Sequence, residues 1–453
     1  MSELIFHRQD KSIKLHGRET GYTVTAEEYP LYSETGELEA SMFGYSYTAA
    51  QGAPGRPVVF AYNGGPGSDS TWLHFGLLGP RRMVIREPDE GLCAFPYPLQ
   101  DNGEFLIDLC DIVLVDPVGT GYTQVLTEQA KKKYYGVQGD AQSFARLIES
   151  WVERHNRWDS PVYLLGESYG TIRNVAVADA LPSGVHLAGI VSVGTSFNVG
   201  VPELHVEPSV RRLEAYAAAS WYHRRDGKPD LRGHLAQAHE FAYTDYAKAL
   251  LWGSLLPRDE YEGVLERLQY FTGMTEEYLR INALRVEQDD FLRLICPGWA
   301  VSVYDARIKM PLGRARGEAP PSMDDEAQTA ATAPAFAAAL HKYIGELGLE
   351  TGRPYRKKMA EIAQSWDYTS GNINTMRLLE RLMRRKKDLR VFFVNGLYDM
   401  QSTADFVTYY LAQYDIPRER TMVRAYESGH MTYFGKPFVS LCADLRQFIG
   451  GEG

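Results

Sequence analysis

The stretch PVYLLGESYG, residues 161–170, decides the fold of this chain. Its apolar half has the composition of a buried strand and leads into a G-x-S-x-G motif, and the following residues 171–181 have a helical pattern. A serine placed between a buried strand and a helix stands on a sharp, crowded turn, where glycines are needed on both sides. This context predicts that Ser168 projects from the top of a sheet as a nucleophile. An ordinary strand-to-helix turn is the alternative.

Further apolar runs lie on both sides of this stretch. They are FGYSYTA (43–49), PVVFAYN (57–63), DIVLVD (111–116), LAGIVSVG (187–194), LRVFFVNG (389–396) and ERTMVRAYES (419–428). Residues 139–155 repeat apolar residues at helical spacing, and a last helix is predicted near 437–449. Strands that alternate with helices predict βαβ units and a largely parallel sheet, which is an α/β fold.

Between these strands the spacing of apolar residues along the chain changes. From about residue 200 the apolar residues follow a helical period with few β-branched runs between them. We therefore predict that residues 1–197 form the first part of the sheet core, 198–384 a mainly helical cap insertion and 385–453 the second part of the core. Residues 313–334, rich in Pro, Ala and acidic side chains, are expected to be an exposed loop.

Composition narrows the functional classes. Of the 453 residues 44% are hydrophobic and 23% charged, which is ordinary for a globular enzyme. The net charge of −10 argues against a nucleic-acid partner, which needs a concentrated basic face. No apolar run approaches the length needed to cross a bilayer, the N-terminus has no secretory pattern, and the four cysteines are too few for a disulfide scaffold. We expect a cytoplasmic protein without a membrane partner. The sequence leaves the oligomeric state open, and a homo-oligomer is allowed.

A serine nucleophile needs a base, and the base needs an acid that orients it. In hydrolases with a strand–serine–helix turn, the chain order is Ser, then acid, then His. His430 lies in a glycine-containing loop after the last predicted strand, and Asp399 lies in the loop after the preceding strand. Both loops leave the carboxyl ends of strands, where sites of open α/β sheets form. The sequence therefore predicts a triad of Ser168, Asp399 and His430.

A second glycine-rich loop follows the strand at residues 57–63. Its sequence NGGPGS is not followed by GK[ST], which excludes a phosphate-binding loop. Small residues at such a place let backbone N–H groups point at a developing alkoxide. We predict an oxyanion hole with the amides of Gly65 and Tyr169 as donors. Neither a metal nor a cofactor is predicted.

Six motifs together resemble one family. They are NGGPGSDS (63–70), GLLGP (76–80), DIVLVDPVGTGYT (111–123), GESYG (166–170), NGLYD (395–399) and ESGHM (427–431). In this order they are similar to the motifs of the serine carboxypeptidases of the S10 type. The resemblance implies an α/β-hydrolase fold with a helical cap insertion, and it implies the same triad and oxyanion donors.

The resemblance also implies a way to recognise substrate. The family binds the free C-terminal carboxylate through an Asn-Gly pair, which maps onto Asn63 and Gly64, and through two glutamates. One glutamate maps onto Glu167, but the position of the other is Leu77. Carboxylate recognition and an acidic pH optimum are therefore open. This departure and the missing disulfide framework indicate an intracellular, bacterial-type branch.

A nearby cation could replace the lost glutamate. Arg81 and Arg82 follow GLLGP, Arg173 lies on the helix predicted after Ser168, and Arg307 lies in YDARI. A structural ion pair is the more usual explanation for each of the four arginines.

The expected function is hydrolysis of a C-terminal peptide or amide bond through an acyl-enzyme on Ser168, with a peptide or an N-acyl small molecule as substrate. The same triad would also serve an acyltransferase, or an esterase or amidase of N-acylated or esterified small molecules. A non-catalytic binding protein on a hydrolase fold is the remote alternative, because such proteins usually lose a member of the triad.

Overall fold

The computed structural model describes residues 4–197, 208–224, 230–312, 326–369 and 374–451. Within these residues the strands are β1 Phe6–Leu15, β2 Arg18–Tyr32, β3 Leu38–Ala49, β4 Val58–Tyr62, β5 Arg81–Met83, β6 Leu99–Asp101, β7 Asp111–Asp116, β8 Gln124–Val125, β9 Val162–Glu167, β10 Leu187–Val193, β11 Trp299–Val301, β12 Lys309–Pro311, β13 Arg390–Gly396 and β14 Thr421–Tyr426.

The α-helices lie mainly after the strands of the sheet and in the middle of the chain. In the described residues they are α1 Thr71–Leu73, α2 Glu128–Tyr134, α3 Val137–Arg154, α4 Tyr169–Ala180, α5 Pro208–Arg224, α6 Leu231–Phe241, α7 Ala247–Trp252, α8 Arg258–Thr272, α9 Glu276–Ile281, α10 Gln288–Leu294, α11 Glu326–Leu347, α12 Ala360–Ser365, α13 Thr375–Arg385, α14 Ala404–Gln413 and α15 Pro437–Gly450.

One mixed sheet organises the described part of the chain. Its strands follow the order β1-β2-β3-β7-β4-β9-β10-β13-β14, and β8 pairs with β3. The strands β1, β2 and β3 are antiparallel, and so is the pairing of β3 with β7. From β7 to β14 all neighbours are parallel. The predicted α/β class with a largely parallel sheet is confirmed, and with the strand–serine–helix turn this topology is an α/β-hydrolase fold.

Both faces of the inner parallel strands are buried, as is usual when helices cover a parallel sheet, whereas the edge strand β14 is partly exposed. Along β4, Val59 and Ala61 face a cluster that includes residues of α11 and α15. Val58 and Phe60 alternate with them and face a second cluster, which includes residues of α3, α4 and α13. The period of two along the strand thus divides the core into two layers.

The two N-terminal strands were missed by the sequence analysis. The sequence of β1, FHRQDKSIKL, is mostly polar, and only Ile13 and Leu15 of this strand are buried. An edge strand with one solvated face does not produce an apolar run, so a search for such runs does not find it.

The middle of the chain is mainly helical, as predicted. Helices α5 to α10 contribute to a third hydrophobic cluster, against which Leu397, Tyr398 and Met400 also pack. Helices α11 and α13, by contrast, pack on the two faces of the sheet. The limits 198–384 of a cap domain stay a prediction.

The loop predicted over residues 313–334 is wrong in its second part. Residues 313–325 lie outside the described residues, but residues 326–334 belong to helix α11, which contains Pro334. The alanine-rich sequence around this proline favours the helix, because alanine has the highest helix propensity. In the part of the chain that the structure describes, no helix has the length and apolar character required to span a membrane.

Trp151 of α3 provides a test of the packing between helix and sheet. Its side chain is fully buried, its indole nitrogen donates to Ser46 Oγ at 2.9 Å, and its ring meets Phe60 edge to face. Trp151→Ala should lower the free energy of unfolding by about 3–5 kcal/mol, because it leaves a large cavity. Urea denaturation measures the loss. Trp158→Ala, at a side chain that is 39% exposed, is the control, and an equal loss in both variants would contradict this packing.

Candidate active site

Ser168 occupies the turn between β9 and α4. Its backbone has φ 59° and ψ −124°, outside the regions that residues with a side chain usually adopt. The turn is crowded, since a Cβ atom at Gly166 would lie 2.0 Å from the carbonyl oxygen of Gly170. Ser168 is partly exposed, whereas Glu167 and Tyr169 on either side of it are buried. The predicted sharp turn between strand and helix, the nucleophile elbow, is therefore present, and its serine faces outward from the end of a central strand.

Asp399 and His430 follow β13 and β14, which are neighbouring parallel strands. His430 Nδ1 lies 2.7 Å from Asp399 Oδ2. The other carboxylate oxygen of Asp399 accepts the amides of Gln401 and Ser402 at 2.8 and 2.9 Å. Because parallel strands end at the same edge of a sheet, these two residues meet although the chain separates them.

The charge of Asp399 controls the imidazole. Burial disfavours the charged form of His430, but the charge and hydrogen bond of Asp399 outweigh this and raise its pKa. With Nδ1–H donating to Asp399, Nε2 is the free acceptor of the neutral ring. Nε2 is buried and has no hydrogen-bond partner among the described residues. A histidine in this state can accept a proton and hold it.

Ser168 and His430 lie at the same end of β10. The Ser168 amide donates to the Val193 carbonyl at 2.9 Å, and a Cβ atom at the next residue, Gly194, would lie 2.7 Å from Cε1 of His430. Tyr304 stacks on the imidazole with ring centroids 5.2 Å apart. The structure thus brings the three predicted triad residues to one edge of the sheet, and their catalytic role stays a prediction.

The glycine-rich loop after β4 contacts the start of α4. A Cβ atom at Gly64 would lie 2.5 Å from the amide nitrogen of Tyr169, so only glycine allows this approach. Gly65 has φ 105°, a conformation that favours glycine. The amide of Tyr169 opens a helix, where N–H groups have no partner within the helix. The two segments predicted to form the oxyanion hole are therefore in contact, and the hole itself stays a prediction.

Asn63 and Glu167 form a buried pair beside the nucleophile. Asn63 Nδ2 donates to Glu167 Oε1 at 2.7 Å, and Asn63 Oδ1 accepts the Leu73 amide at 3.0 Å. Burial raises the pKa of Glu167 to about 7, and the opposing charge of His430 does not cancel this effect. Glu167 is therefore protonated in weakly acidic solution.

Arg173 has a structural position rather than a place in a substrate pocket. Its Nε lies 2.6 Å from Asp140 Oδ2, and its Nη1 donates to the Asn63 carbonyl at 2.6 Å. The guanidinium also packs on the ring of Phe144, and the side chain is buried. Arg173 therefore ties the glycine-rich loop to the elbow helix.

The three other arginines also have protein partners. Arg81 pairs with Asp101 and Glu346, and Arg307 pairs with Asp305 and Glu87. Arg82 donates to the carbonyls of Gly76 and Tyr433 at 3.1 and 3.2 Å. The structure gives no support to a cation that replaces the missing glutamate, because Arg81 and Arg307 face carboxylates of the protein and Arg82 faces backbone carbonyls.

A buried acid pair to which the sequence analysis gave no role supports the glycine-rich loop. Asp116 accepts the Ser70 amide at 2.9 Å and the Tyr355 hydroxyl at 2.9 and 3.0 Å. Ser70 Oγ in turn accepts the Asn63 amide at 3.2 Å. Burial and the neighbouring charge of Asp69 raise the pKa of Asp116 to about 8. Asp116 was visible within a quoted motif, but only the fold shows that its strand end lies under this loop.

Comparison with known proteins agrees with the motifs. The family model for the serine carboxypeptidases, of the S10 peptidase type, matches residues 19–181. The resemblance to serine carboxypeptidases is confirmed. The matched residues contain the glycine-rich loop and the elbow but neither Asp399 nor His430, which are connected to Ser168 by the geometry above. The bacterial-type branch stays a prediction.

Two relatives from Arabidopsis thaliana are similar to the same part of the chain. Serine carboxypeptidase-like 36 is 30% identical over 152 residues, which are 32% of this chain and 29% of that protein. Serine carboxypeptidase-like 29 is 28% identical over 171 residues, which are 36% of this chain and 32% of that protein. The chain therefore spans about a third or less of the length of each of these relatives.

Solved structures similar to this chain include a proline iminopeptidase from Mycobacterium smegmatis, with 13% identity and a TM-score of 0.39. A carboxyl esterase from Bacillus coagulans has 12% identity and a TM-score of 0.41. Both alignments cover 94% of this chain and 98% of the other.

The raised pKa of Asp116 predicts a pH-dependent stability. In the unfolded chain an aspartate has a pKa near 4, so the folded state holds this proton more tightly and loses stability as the pH rises from about 4 to about 8. Asp116→Asn cannot ionise and should show a smaller fall in unfolding temperature between pH 5 and pH 8.5 than the unmodified protein. Asp89→Asn, at an exposed position of a short 3-10 helix, should keep the original fall. The same pH dependence in all three proteins would show that Asp116 is ionised in the fold.

Proposed function

We propose that the protein is a serine hydrolase of the serine carboxypeptidase type, which cleaves a C-terminal peptide or amide bond. The observation that carries the proposal is the buried hydrogen bond between Asp399 and His430 at the sheet edge that also holds Ser168. The similarity of residues 19–181 to serine carboxypeptidases supports it. Strain at the serine supports it further, because strained backbone persists where the surrounding structure holds it for function.

The chemistry would follow from the positions of these groups. Ser168 Oγ attacks the scissile carbonyl carbon while His430 Nε2 accepts the hydroxyl proton, and Asp399 stabilises the imidazolium that forms. The amides of Gly65 and Tyr169 donate to the oxyanion of the tetrahedral intermediate. The C–N bond then breaks as His430 returns its proton to the leaving amine. Water attacks the resulting acyl-enzyme by the same route and releases the acid.

The substrate would be a peptide or an N-acyl small molecule with a free carboxylate on the leaving group. Asn63, Gly64 and protonated Glu167 are the proposed contacts of this carboxylate, as the resemblance implies. Glu167 suits the role because its raised pKa keeps a proton that a carboxylate can share.

One observation favours a second candidate. Leu77 is buried in the apolar core with 2% of its surface exposed, at the position where the family has its other glutamate. A site with one glutamate depends less on a free acid, so an esterase, an amidase or an acyltransferase with the same triad is the alternative.

Covalent labelling tests the nucleophile. A fluorophosphonate should label Ser168 in the folded protein, and Ser168→Ala should abolish labelling and lower kcat by roughly 10⁴-fold or more, because the attacking oxygen is lost. Ser196→Ala is the matched control, since Ser196 is also partly exposed and lies just after β10. Labelling that survives in Ser168→Ala, or no labelling of the intact protein, would refute the proposal.

The raised pKa of Glu167 predicts how the preference for free-acid substrates changes with pH. For N-blocked dipeptides and their C-terminal amides, the ratio of kcat/KM for acid to that for amide should fall as the pH rises through 7, because ionised Glu167 repels the carboxylate. The ratio cancels the titration of His430, which is common to both substrates. In Glu167→Gln the ratio should be nearly constant between pH 5 and pH 8. A ratio that stays near one throughout in the unmodified protein would favour the esterase or amidase alternative.

A further inference from the structure

Two buried polar atoms beside Ser168 lack hydrogen bonds. Glu167 uses Oε1 to accept from Asn63, but its Oε2 has no hydrogen-bond partner among the described residues. The hydroxyl of Tyr433 is likewise buried and unpaired within this part of the chain. The hydroxyl lies close enough to the carboxyl of Glu167 for each group to affect the pKa of the other, and no hydrogen bond joins the two in the described residues. Buried polar groups without partners are rare, and two of them together indicate a place for a polar ligand.

The position of Tyr433 is fixed from several sides. A Cβ atom at Gly76 would lie 2.3 Å from Cε2 of Tyr433, so the aromatic ring packs directly on this glycine. Arg82 donates to the carbonyls of both Gly76 and Tyr433. Gly76 immediately precedes Leu77. The hydroxyl of Tyr433 is therefore held beside the segment that lacks the expected glutamate.

The charges at this place favour an anionic ligand bound by neutral donors. Burial and the nearby Glu167 raise the pKa of Tyr433 well above its usual value, so the phenol keeps its proton at every working pH. Glu167 keeps its own proton up to about pH 7. The groups that face the Glu167 carboxyl are His430, Asp399, Tyr433 and Asn63. A phenol and a carboxylic acid side by side offer two protons to one acceptor group, as a carboxylate requires.

We propose that Tyr433 is a substrate-binding residue that donates, together with Glu167, to the terminal carboxylate of the leaving group, in place of a second glutamate. This inference rests on the proposed function. It adds that recognition of a free acid depends only partly on the proton of Glu167, because the phenol still donates after Glu167 has ionised.

Protection against labelling tests the inference without a known substrate. Benzyloxycarbonyl dipeptides with a free C-terminal carboxylate should slow the labelling of Ser168 by a fluorophosphonate, and their C-terminal amides should do so less. In Tyr433→Phe the concentration of free acid that halves the labelling rate should rise about tenfold, because a hydrogen bond to a charged acceptor is lost. For the amides it should change less than about twofold. Above pH 7 the loss for the acids should be larger, since Glu167 no longer donates.

The control is Tyr163→Phe, which removes a buried hydroxyl that donates to the Ile449 carbonyl and lies on the same strand as Glu167 but far from its end. It should leave protection by acids and amides unchanged. An unfolding temperature of Tyr433→Phe close to that of the unmodified protein shows that this variant is folded. If the unmodified protein is labelled but Tyr433→Phe loses acid and amide protection equally, or loses neither, the role of Tyr433 is refuted while the hydrolase remains. If the unmodified protein is not labelled at all, the proposed function itself fails.

Discussion

The backbone turn at Ser168 brings three segments of the chain closer together than side chains would allow. Its φ of 59° costs free energy of order 1–3 kcal/mol for a residue with a side chain, and contacts in the surrounding sheet must offset this cost. Strand β9, which leads into the turn, is held on both sides because it pairs with β4 and β10 in the middle of the sheet. The glycines at positions 64, 166 and 194 then admit the loop, the helix start and the imidazole ring against this turn. Substitution of any of them would push away one part of the site.

Several carboxyl groups are buried around this turn, and they differ in how the cost of burying their charge is avoided. Asp140 is neutralised by Arg173, and Asp399 is held by His430 and by two backbone amides. Burial instead raises the pKa of Glu167 to about 7 and, together with the charge of Asp69, the pKa of Asp116 to about 8, so that both carboxyls are protonated in weakly acidic solution. Removing one partner of a buried ion pair leaves an uncompensated charge, whereas a protonated acid acts as an ordinary hydrogen-bonding group. Both kinds of carboxyl group help to hold the glycine-rich loop. Arg173, the partner of Asp140, donates to the Asn63 carbonyl, and Ser70, which is bound by Asp116, accepts the Asn63 amide.

Sequence patterns predicted the parts of this arrangement that depend on local order. The apolar runs gave strands within about three residues of the observed ends, except for β3, which begins five residues earlier than predicted, at Leu38. Chain order and loop position were sufficient to select Asp399 and His430. The polar edge strand β1 escaped prediction because it has no apolar run. The helix around Pro334 escaped prediction because a proline usually ends a helix, although the alanines beside it favour one. Tyr433 could not have been chosen, because its proximity to Glu167 depends on contacts with Gly76 and Arg82 from a distant part of the chain.

The strands that are neighbours in the sheet are far apart in the chain, and this has a consequence for folding during synthesis. Strand β10 receives its outer neighbour only when residues 390–396 have been synthesised, since β13 is the strand that pairs with it. Until then a central strand presents an open edge, which other chains could pair with, and long-range strand pairing of this kind is slow to form. During the same interval the serine at the elbow has no histidine beside it. A growing chain therefore carries Ser168 early and His430 last, so that the hydrolytic chemistry proposed above would be withheld until the sheet is complete.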